Sequence, residues 1–341
     1  MSGFYCQLRN NQFCSDKKNK FFNRYYVVFA GEIYNKEECI KKLHTPLFAD
    51  CATTEWMIAF LYDHYREAFV SHLRGKFAFV IWDEQLQTLF AARDPFGIQS
   101  LFYVQKNADF IFSTSKSKLQ INGQPFTINQ TALQHYLSFQ YVPEPFSLKN
   151  SMEQVKALPP GYTLSTCSQS VALNQYSKLT FHPIKKHARS FTEATKQLLI
   201  RSIKSQVRNT DQVGIFLSGG IDSTSIAAIA KQFNPNIKTF TVGFAESGYT
   251  EIELAKATAH QLNVENVAKI ITPEDVINIL PQLILAFEEP IADPAAIPLF
   301  FAAQEARKHV NVVLTGEGAD EIFGGYNVYR EPYARRLFRY M

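Results

Sequence analysis

A glycine-rich turn, Leu217-Ser218-Gly219-Gly220-Ile221-Asp222-Ser223, stands between the apolar run 213–217 and an alanine-rich segment, 223–232, with helical spacing. The apolar run reads as a buried strand and the alanine-rich segment as a helix, which commits this part of the chain to an α/β arrangement. Two glycines let the backbone approach a ligand closely, and amide N–H groups at the start of the following helix attract anions. Ser218 and Ser223 can add hydroxyl donors. Asp222 is the odd member, because a carboxylate beside a phosphate repels it unless a divalent cation lies between them. The segment therefore reads as a phosphate cradle that works with magnesium. It has neither the Gly-Lys-Ser/Thr of a Walker loop nor the spacing of the dinucleotide fingerprint. The competing reading is an ordinary tight turn, which Ser and Gly commonly make.

Strand and helix patterns alternate beyond this turn. Strands are predicted at 239–244, 267–271 and 311–314, and helices at 251–262, from 273, and at 295–308. Such alternation indicates a parallel sheet, whose ligands bind at the C-terminal ends of the strands. A second motif, Thr315-Gly316-Glu317-Gly318-Ala319-Asp320-Glu321, follows the last of these strands and leads into Gly324-Gly325-Tyr326. Acids among glycines at such a place are poor packing residues. Ser190 and Glu193 have the spacing of a capping box ahead of the helical face Leu199, Ile203 and Val207.

The first half differs. Aromatic and β-branched runs at 25–29, 76–82, 88–92 and 101–104 read as strands, and 54–65 reads as a helix, giving an α+β domain. The expected organisation is a domain over 1–165, a polar linker over 166–189 and a second domain over 190–341. A chain of 341 residues, 46% hydrophobic, can bury two cores.

A net charge of +4, without a dense run of Lys or Arg, argues against nucleic acid as a partner. The five cysteines include no Cys-x-x-Cys pair, so neither zinc nor a disulfide framework is expected, and a cytoplasmic location fits. No apolar stretch approaches the roughly 20 residues that span a bilayer, and no signal segment is evident, so no membrane partner is expected.

With Glu288-Glu289-Pro290-Ile291-Ala292-Asp293-Pro294 between them, the two glycine motifs together resemble the asparagine synthetase family. The resemblance extends to segments 29–35, 75–79 and 93–98, similar to the family's glutaminase half, and to 141–143 and 158–161, similar to its link to the synthetase half. It implies an Ntn-hydrolase or class II glutamine amidotransferase-like sandwich, followed by an α/β ATP-pyrophosphatase domain with a parallel sheet. It also implies a ligase that activates the side-chain carboxylate of aspartate with ATP, giving β-aspartyl-AMP and pyrophosphate before an amine displaces AMP. By resemblance, Leu217, Val242 and Gly316 hold adenine and ribose with Thr315 beside them, and Ser218, Gly219, Gly220, Asp222 and Ser223 cradle the phosphates. Asp222 and Asp320 match magnesium ligands, and Glu317 matches the carboxylate that handles protons when the amine attacks. For Val242 an ordinary strand residue is an equal reading. Glu288, Glu289 and Asp293 are either site residues or caps for the next helix.

The glutaminase half departs from the family. Its N-terminal nucleophilic cysteine is replaced by Ser2, either naturally or by engineering, and a serine hydroxyl is far less acidic than a thiol. The Asn-Gly-Glu segment of the oxyanion hole reads Ala30-Gly31-Glu32, losing a donor typically worth roughly 3 to 4 kcal/mol. Thr53 stands where the family has the acid that grips the amine of glutamine, and the Arg loop for the glutamine carboxylate has no counterpart. These losses predict an inert glutaminase domain kept as a scaffold, with ammonia or another amine taken directly. The family's synthetase half also continues beyond its Gly-Gly-Tyr segment, whereas this sequence ends at Met341, with Arg330, Arg335, Arg336 and Arg339 read as a solvated helix face. Expected partners are aspartate or another carboxylate, ammonia or another amine, and either a second copy in a homodimer or a completing partner chain. Two alternatives stay open: an amide-forming enzyme of the β-lactam synthetase or lasso-peptide cyclase kind, and a truncated nucleotide-binding pseudoenzyme.

Overall fold

The computed structural model describes residues 3–17, 20–42, 53–119, 127–144, 146–149, 155–167, 170–184, 187–207, 212–244 and 251–330. Ser2 and the arginines beyond 330 lie outside them. Two compact units result. The first is Met1–Ile184 with Ala286–Ala292, and the second is Lys185–Leu285 with Asp293–Met341.

The first unit carries strands β1 (Tyr5–Arg9), β2 (Gln12–Ser15), β3 (Lys20–Phe21), β4 (Tyr25–Ile33), β5 (Gly75–Asp83), β6 (Thr88–Arg93), β7 (Phe102–Lys106), β8 (Asp109–Ser113), β9 (Lys156–Ala157), β10 (Tyr162–Cys167) and β11 (Ser170–Gln175). Its helices are α1 (Lys36–Lys42), α2 (Thr54–Tyr65) and α3 (Gln130–Phe139). They build two antiparallel sheets, ordered β2-β1-β8-β7-β9 and β11-β10-β6-β5-β4-β3. Successive side chains of a strand point to opposite faces, and β4 uses both. Val27 and Phe29 pack with Met57, Ile58 and Leu61 of α2, whereas Val28 and Ala30 pack with Phe4, Leu8 and Phe112 from the other sheet's side. The six-stranded sheet is thus covered by helix on one face and by sheet on the other, an α+β sandwich.

The segment read as a linker contains β11, which pairs with β10 from Tyr162↔Gln175 to Cys167↔Ser170. Its side chains are mostly exposed, as on a sheet edge, so it lacks the apolar alternation that marks a strand.

The second unit carries α4 (Ala188–Gln206), β12 (Val213–Phe216), α5 (Ile221–Phe233), β13 (Lys238–Phe244), α6 (Ile252–Leu262), β14 (Glu265–Ile271), α7 (Pro273–Ala286), α8 (Ala296–Ala306), β15 (Val312–Leu314) and the short α9 (Ala319–Phe323). The expected capping box is not formed, because α4 begins before Ser190, with His187 as its cap residue. Glu193 instead accepts from the Gln197 amide within the helix. The sheet is parallel throughout, in the order β14-β13-β12-β15. One face is packed by Ile203 of α4, Ala227 of α5 and Ala255 of α6, and the other by Phe301 and Ala306 of α8 and Ile279 of α7. This is a doubly covered α/β sheet. Its strand order reverses between β12 and β15, the switch point outside which open α/β sheets bind ligands. Among the described residues, no helix is long and apolar enough to cross a membrane.

Candidate functional site

Both glycine motifs open onto that switch point. After β12 the chain turns at Gly219, whose φ of +83° only glycine adopts without strain. A side chain there would also run into Leu254 of α6, with a Cβ only 2.7 Å from Leu254 Cγ. The turn is braced from within. Ser218 N donates to Ser223 Oγ (3.2 Å), Gly220 N donates to Ser218 Oγ (3.2 Å), and the two hydroxyls lie 3.1 Å apart. In this structure the serine hydroxyls therefore shape the loop, while Gly220 serves as the N-terminal boundary of α5 and Asp222 enters its first turn.

After β15, Thr315 Oγ1 accepts from Glu317 N (3.3 Å), and Gly318, with φ +85°, starts α9. A Cβ on Gly316 would lie 3.1 Å from Asp222 Cβ, so the backbone of the second motif runs against the first motif's acid. Gly325 is equally close to Asp320: its N donates to Asp320 O (3.0 Å), and any Cβ would overlap the Asp320 carboxylate.

Between the motifs lies a cavity of about 380 Å³, lined by Leu217, Ser218, Asp222, Ser223, Val242, Thr315, Gly316, Glu317 and Asp320. Gly219 and Gly220 set the turn without lining it. Val242 does two things, facing the cavity and packing against the cluster of Ile271, Ile279 and Phe301.

Sequence reasoning missed several contributors. Thr241, Glu251 and Tyr326 also line the cavity, and Pro298, Leu299 and Ala302 of α8 form one wall. Thr241 fixes the loop entrance: its hydroxyl donates to Leu217 O (2.7 Å) and accepts from Asn266 Nδ2 (2.9 Å). A Thr beside a valine in a strand carries no sequence signal for that task.

Among the described residues, no donor is hydrogen-bonded to the carboxylates of Asp222 and Asp320, and no basic group pairs with them. No cluster of three or more His, Cys, Asp and Glu is found among those residues either. Two half-buried carboxylates with spare acceptor capacity fit magnesium as phosphates bring it, since that ion is usually held by one or two carboxylates plus substrate phosphates and water.

The first unit treats its corresponding positions differently. Ala30 is 2% exposed and packed between the sheets. Gly31, at φ +111°, lies against the backbone of Lys76, and Glu32 sits in register with Lys76 across β4 and β5. Thr53 is the N-cap of α2, its hydroxyl accepting from Trp56 N (3.2 Å). Of the undecided acids, Asp293 accepts from Ala295 N (2.9 Å) at the start of α8, whereas Glu288 and Glu289 bond within the first unit.

Residues 16–177 match the family model of the glutamine amidotransferase domain, and residues 194–341 match that of asparagine synthase. The chain is 43% identical over 319 residues to asparagine synthetase (glutamine-hydrolyzing) 1 of Bacillus subtilis, covering 92% of this chain and 50% of the relative. It is 40% identical over 337 residues to a putative asparagine synthetase (glutamine-hydrolyzing) of Mycobacterium tuberculosis, covering 94% and 50%. It is 31% identical over 345 residues to amidase chyE of Penicillium rubens, covering 95% and 50%. The chain thus spans about half the length of the curated relatives it matches.

Proposed function

Because this chain belongs to the asparagine synthetase family, we propose that its second unit adenylates the side-chain carboxylate of aspartate with ATP, for amide formation with ammonia rather than glutamine. The observation that carries this reading is the cavity at the switch point, into which both glycine motifs turn their acids. Backbone groups at Leu217, Val242 and Gly316, with Thr315, receive adenine and ribose. The loop from Ser218 through Gly219 and Gly220 to Ser223 offers amides at the N-terminus of α5, where the helix field favours phosphate.

Asp222 and Asp320 are the proposed magnesium ligands. When bound, the ion supplies charge neutralisation on the departing pyrophosphate. Glu317 is exposed and faces the same space, so it can take the proton released as the amine attacks. A carboxylate is a poor electrophile, and these groups support converting it to an acyl adenylate with a good leaving group.

Ammonia as the amine source is supported by the first unit. The Ala30 methyl group is spent on packing, and the Thr53 oxygen on capping α2. The reaction is placed in the cytoplasm, on small-molecule substrates.

Isotope exchange between pyrophosphate and ATP, run with magnesium and aspartate and followed by amide analysis with ammonium or glutamine, tests this. The expected result is exchange that requires both magnesium and aspartate, with asparagine formed from ammonium alone. Absence of exchange with any carboxylate would overturn adenylation, and asparagine formed from glutamine would overturn the inert first unit. A second reading keeps the adenylating site and changes the carboxylate. Exchange driven by another acid but not by aspartate selects it.

A further inference from the structure

Three polar side chains link adjacent strands of the second unit's sheet. Asn266 of β14 stands opposite Thr239 of β13, and Thr241 follows two residues further along β13, on the same face. Thr239 is fully buried and Thr241 is 4% exposed. Asn266 Nδ2 donates to both hydroxyls, at 3.0 Å to Thr239 and 2.9 Å to Thr241. Each hydroxyl donates in turn to a carbonyl, Thr239 Oγ1 to Glu265 O (2.9 Å) and Thr241 Oγ1 to Leu217 O (2.7 Å).

The ends of this chain of bonds fix its direction. A backbone carbonyl only accepts, so each hydroxyl spends its single proton there and presents a lone pair to Asn266. Only the NH2 side of the amide can serve two lone pairs, and Asn266 Oδ1 is left buried without a hydrogen bond among the described residues. A buried acceptor without a partner costs stability, and the two N–H bonds hold the amide in place against that cost.

At Leu217 the chain of bonds meets the point where β12 and β13 part. Leu217 N donates to Phe240 O (2.9 Å), so the backbone groups of Phe240 face β12, and those of Val242, two residues on, face the same way. The next rung of the ladder would run from Val242 N to Leu217 O. It is not formed: among the described residues no backbone bond joins Val242 to residues 217–219, and Leu217 O accepts from the Thr241 hydroxyl instead. Thr241 and Val242 both line the cavity at this opening.

We infer that Thr241 and Asn266 are positioning residues for the base. By occupying Leu217 O they stop the two strands from pairing further, which keeps the Val242 peptide edge open to the nucleotide. The inference rests on the proposed ATP site and adds a source of base selectivity to it. A peptide carbonyl accepts from the 6-amino group of adenine, whereas guanine presents an oxygen at that position. A site built on such a hydrogen bond rejects the analogue that lacks the donor.

Calorimetry of ATP and of GTP with magnesium, together with amide hydrogen exchange at Val242, tests this on the whole chain. Thr241→Val keeps the shape, removes the hydroxyl and lets Val242 N reach Leu217 O. ATP affinity should fall about tenfold with GTP affinity unchanged, so that the preference for adenine shrinks. The Val242 amide should exchange about tenfold more slowly as the rung closes. Thr241→Ser keeps the hydroxyl and should restore both readouts. Asn266→Asp accepts where the amide donated and turns the Thr241 proton away from Leu217 O, so it should lower the ATP-to-GTP ratio about tenfold. Asn266→Ala releases the hydroxyl without turning it and should lower that ratio only about twofold.

A general loosening of the fold lowers both affinities together, so an unchanged ATP-to-GTP ratio in Thr241→Val would overturn the inference. Equal ratios in the two Asn266 variants would remove Asn266 from it. If the unaltered chain binds no ATP, the functional reading fails, and exchange at Val242 still decides the structural half: protection that does not rise in Thr241→Val refutes the open rung.

Discussion

The acids of the first unit and those of the second stand in similar places, at or just beyond strand ends, but their surroundings differ. Asp83, fully buried at the end of β5, receives Arg24 Nε (2.9 Å), Arg24 Nη2 (2.7 Å) and the amides of Gln85 and Leu86. Asp94, also fully buried, receives the amides of Phe77, Phe96, Ile98 and Gln99. Asp222 and Asp320 receive none among the described residues. An acid that shapes a fold has its acceptor capacity consumed internally, because burying unpaired charge is costly. An acid left with that capacity beside a cavity is available to something from outside. The contrast separates architecture from site without reference to any ligand.

The largest expected effect in breaking this contrast is on stability. Asp83→Ala should cost about 3 kcal/mol in denaturant unfolding of the first unit, since it leaves the largely buried Arg24 with only its longer ion-pair contact to Asp63 (3.7 Å) and deprives two turn amides of their acceptor. Asp222→Asn and Asp320→Asn should behave oppositely. Each should reduce pyrophosphate exchange by about 100-fold, or roughly 2.7 kcal/mol, while leaving the unfolding midpoint unchanged. If either asparagine variant loses stability as Asp83→Ala does, the distinction between the two classes of acid collapses.

A smaller effect appears on acidification. Burial pushes the Asp83 carboxyl up, but the Arg24 hydrogen bond and then the turn amide of Leu86 outweigh it, so its pKa falls below the usual carboxylate value of about 3.9. The folded form thus binds its proton more weakly than the unfolded form. The stabilisation is fully present above that ordinary value and is lost as pH falls through the depressed one. Thermal unfolding between about pH 5 and 2 should show an acid limb that Asp83→Asn flattens. An unaltered limb in that variant would assign the acid sensitivity to other groups.

The smallest effect concerns Ala30. Ala30→Asn restores the residue type of the family's oxyanion hole, yet it places an amide among Phe4, Val28 and Ala78. The expected outcome is a loss of about 1–2 kcal/mol in stability and no gain of glutamine hydrolysis. Glutaminase activity in this single variant would contradict the account of an inert first unit.

Legibility in the sequence follows the same division between local and distant physics. The helix α2 was readable because its apolar spacing is local, although its Thr53 cap was not foreseen, and the strands β4, β5 and β6 because they are long and apolar on both faces. The edge strands β2 and β11 were not, since β2 is only four residues long with no residue fully buried, and the mostly exposed side chains of β11 leave no alternation of burial to detect. Within the site, the two motifs could be paired because each follows a strand of a parallel sheet. The Thr241 bond to Leu217 and the pairing of Lys116 with Glu289 join residues far apart in the chain, and no periodicity announces such contacts.

The most direct test of the central claim is the magnesium dependence of ATP binding, measured by calorimetry on the unaltered chain and on Asp222→Asn, Asp320→Asn and their combination. The account predicts that magnesium strengthens ATP binding by about tenfold or more in the unaltered chain, and that the combined variant binds ATP equally with and without the ion. Full magnesium dependence in the combined variant would contradict it.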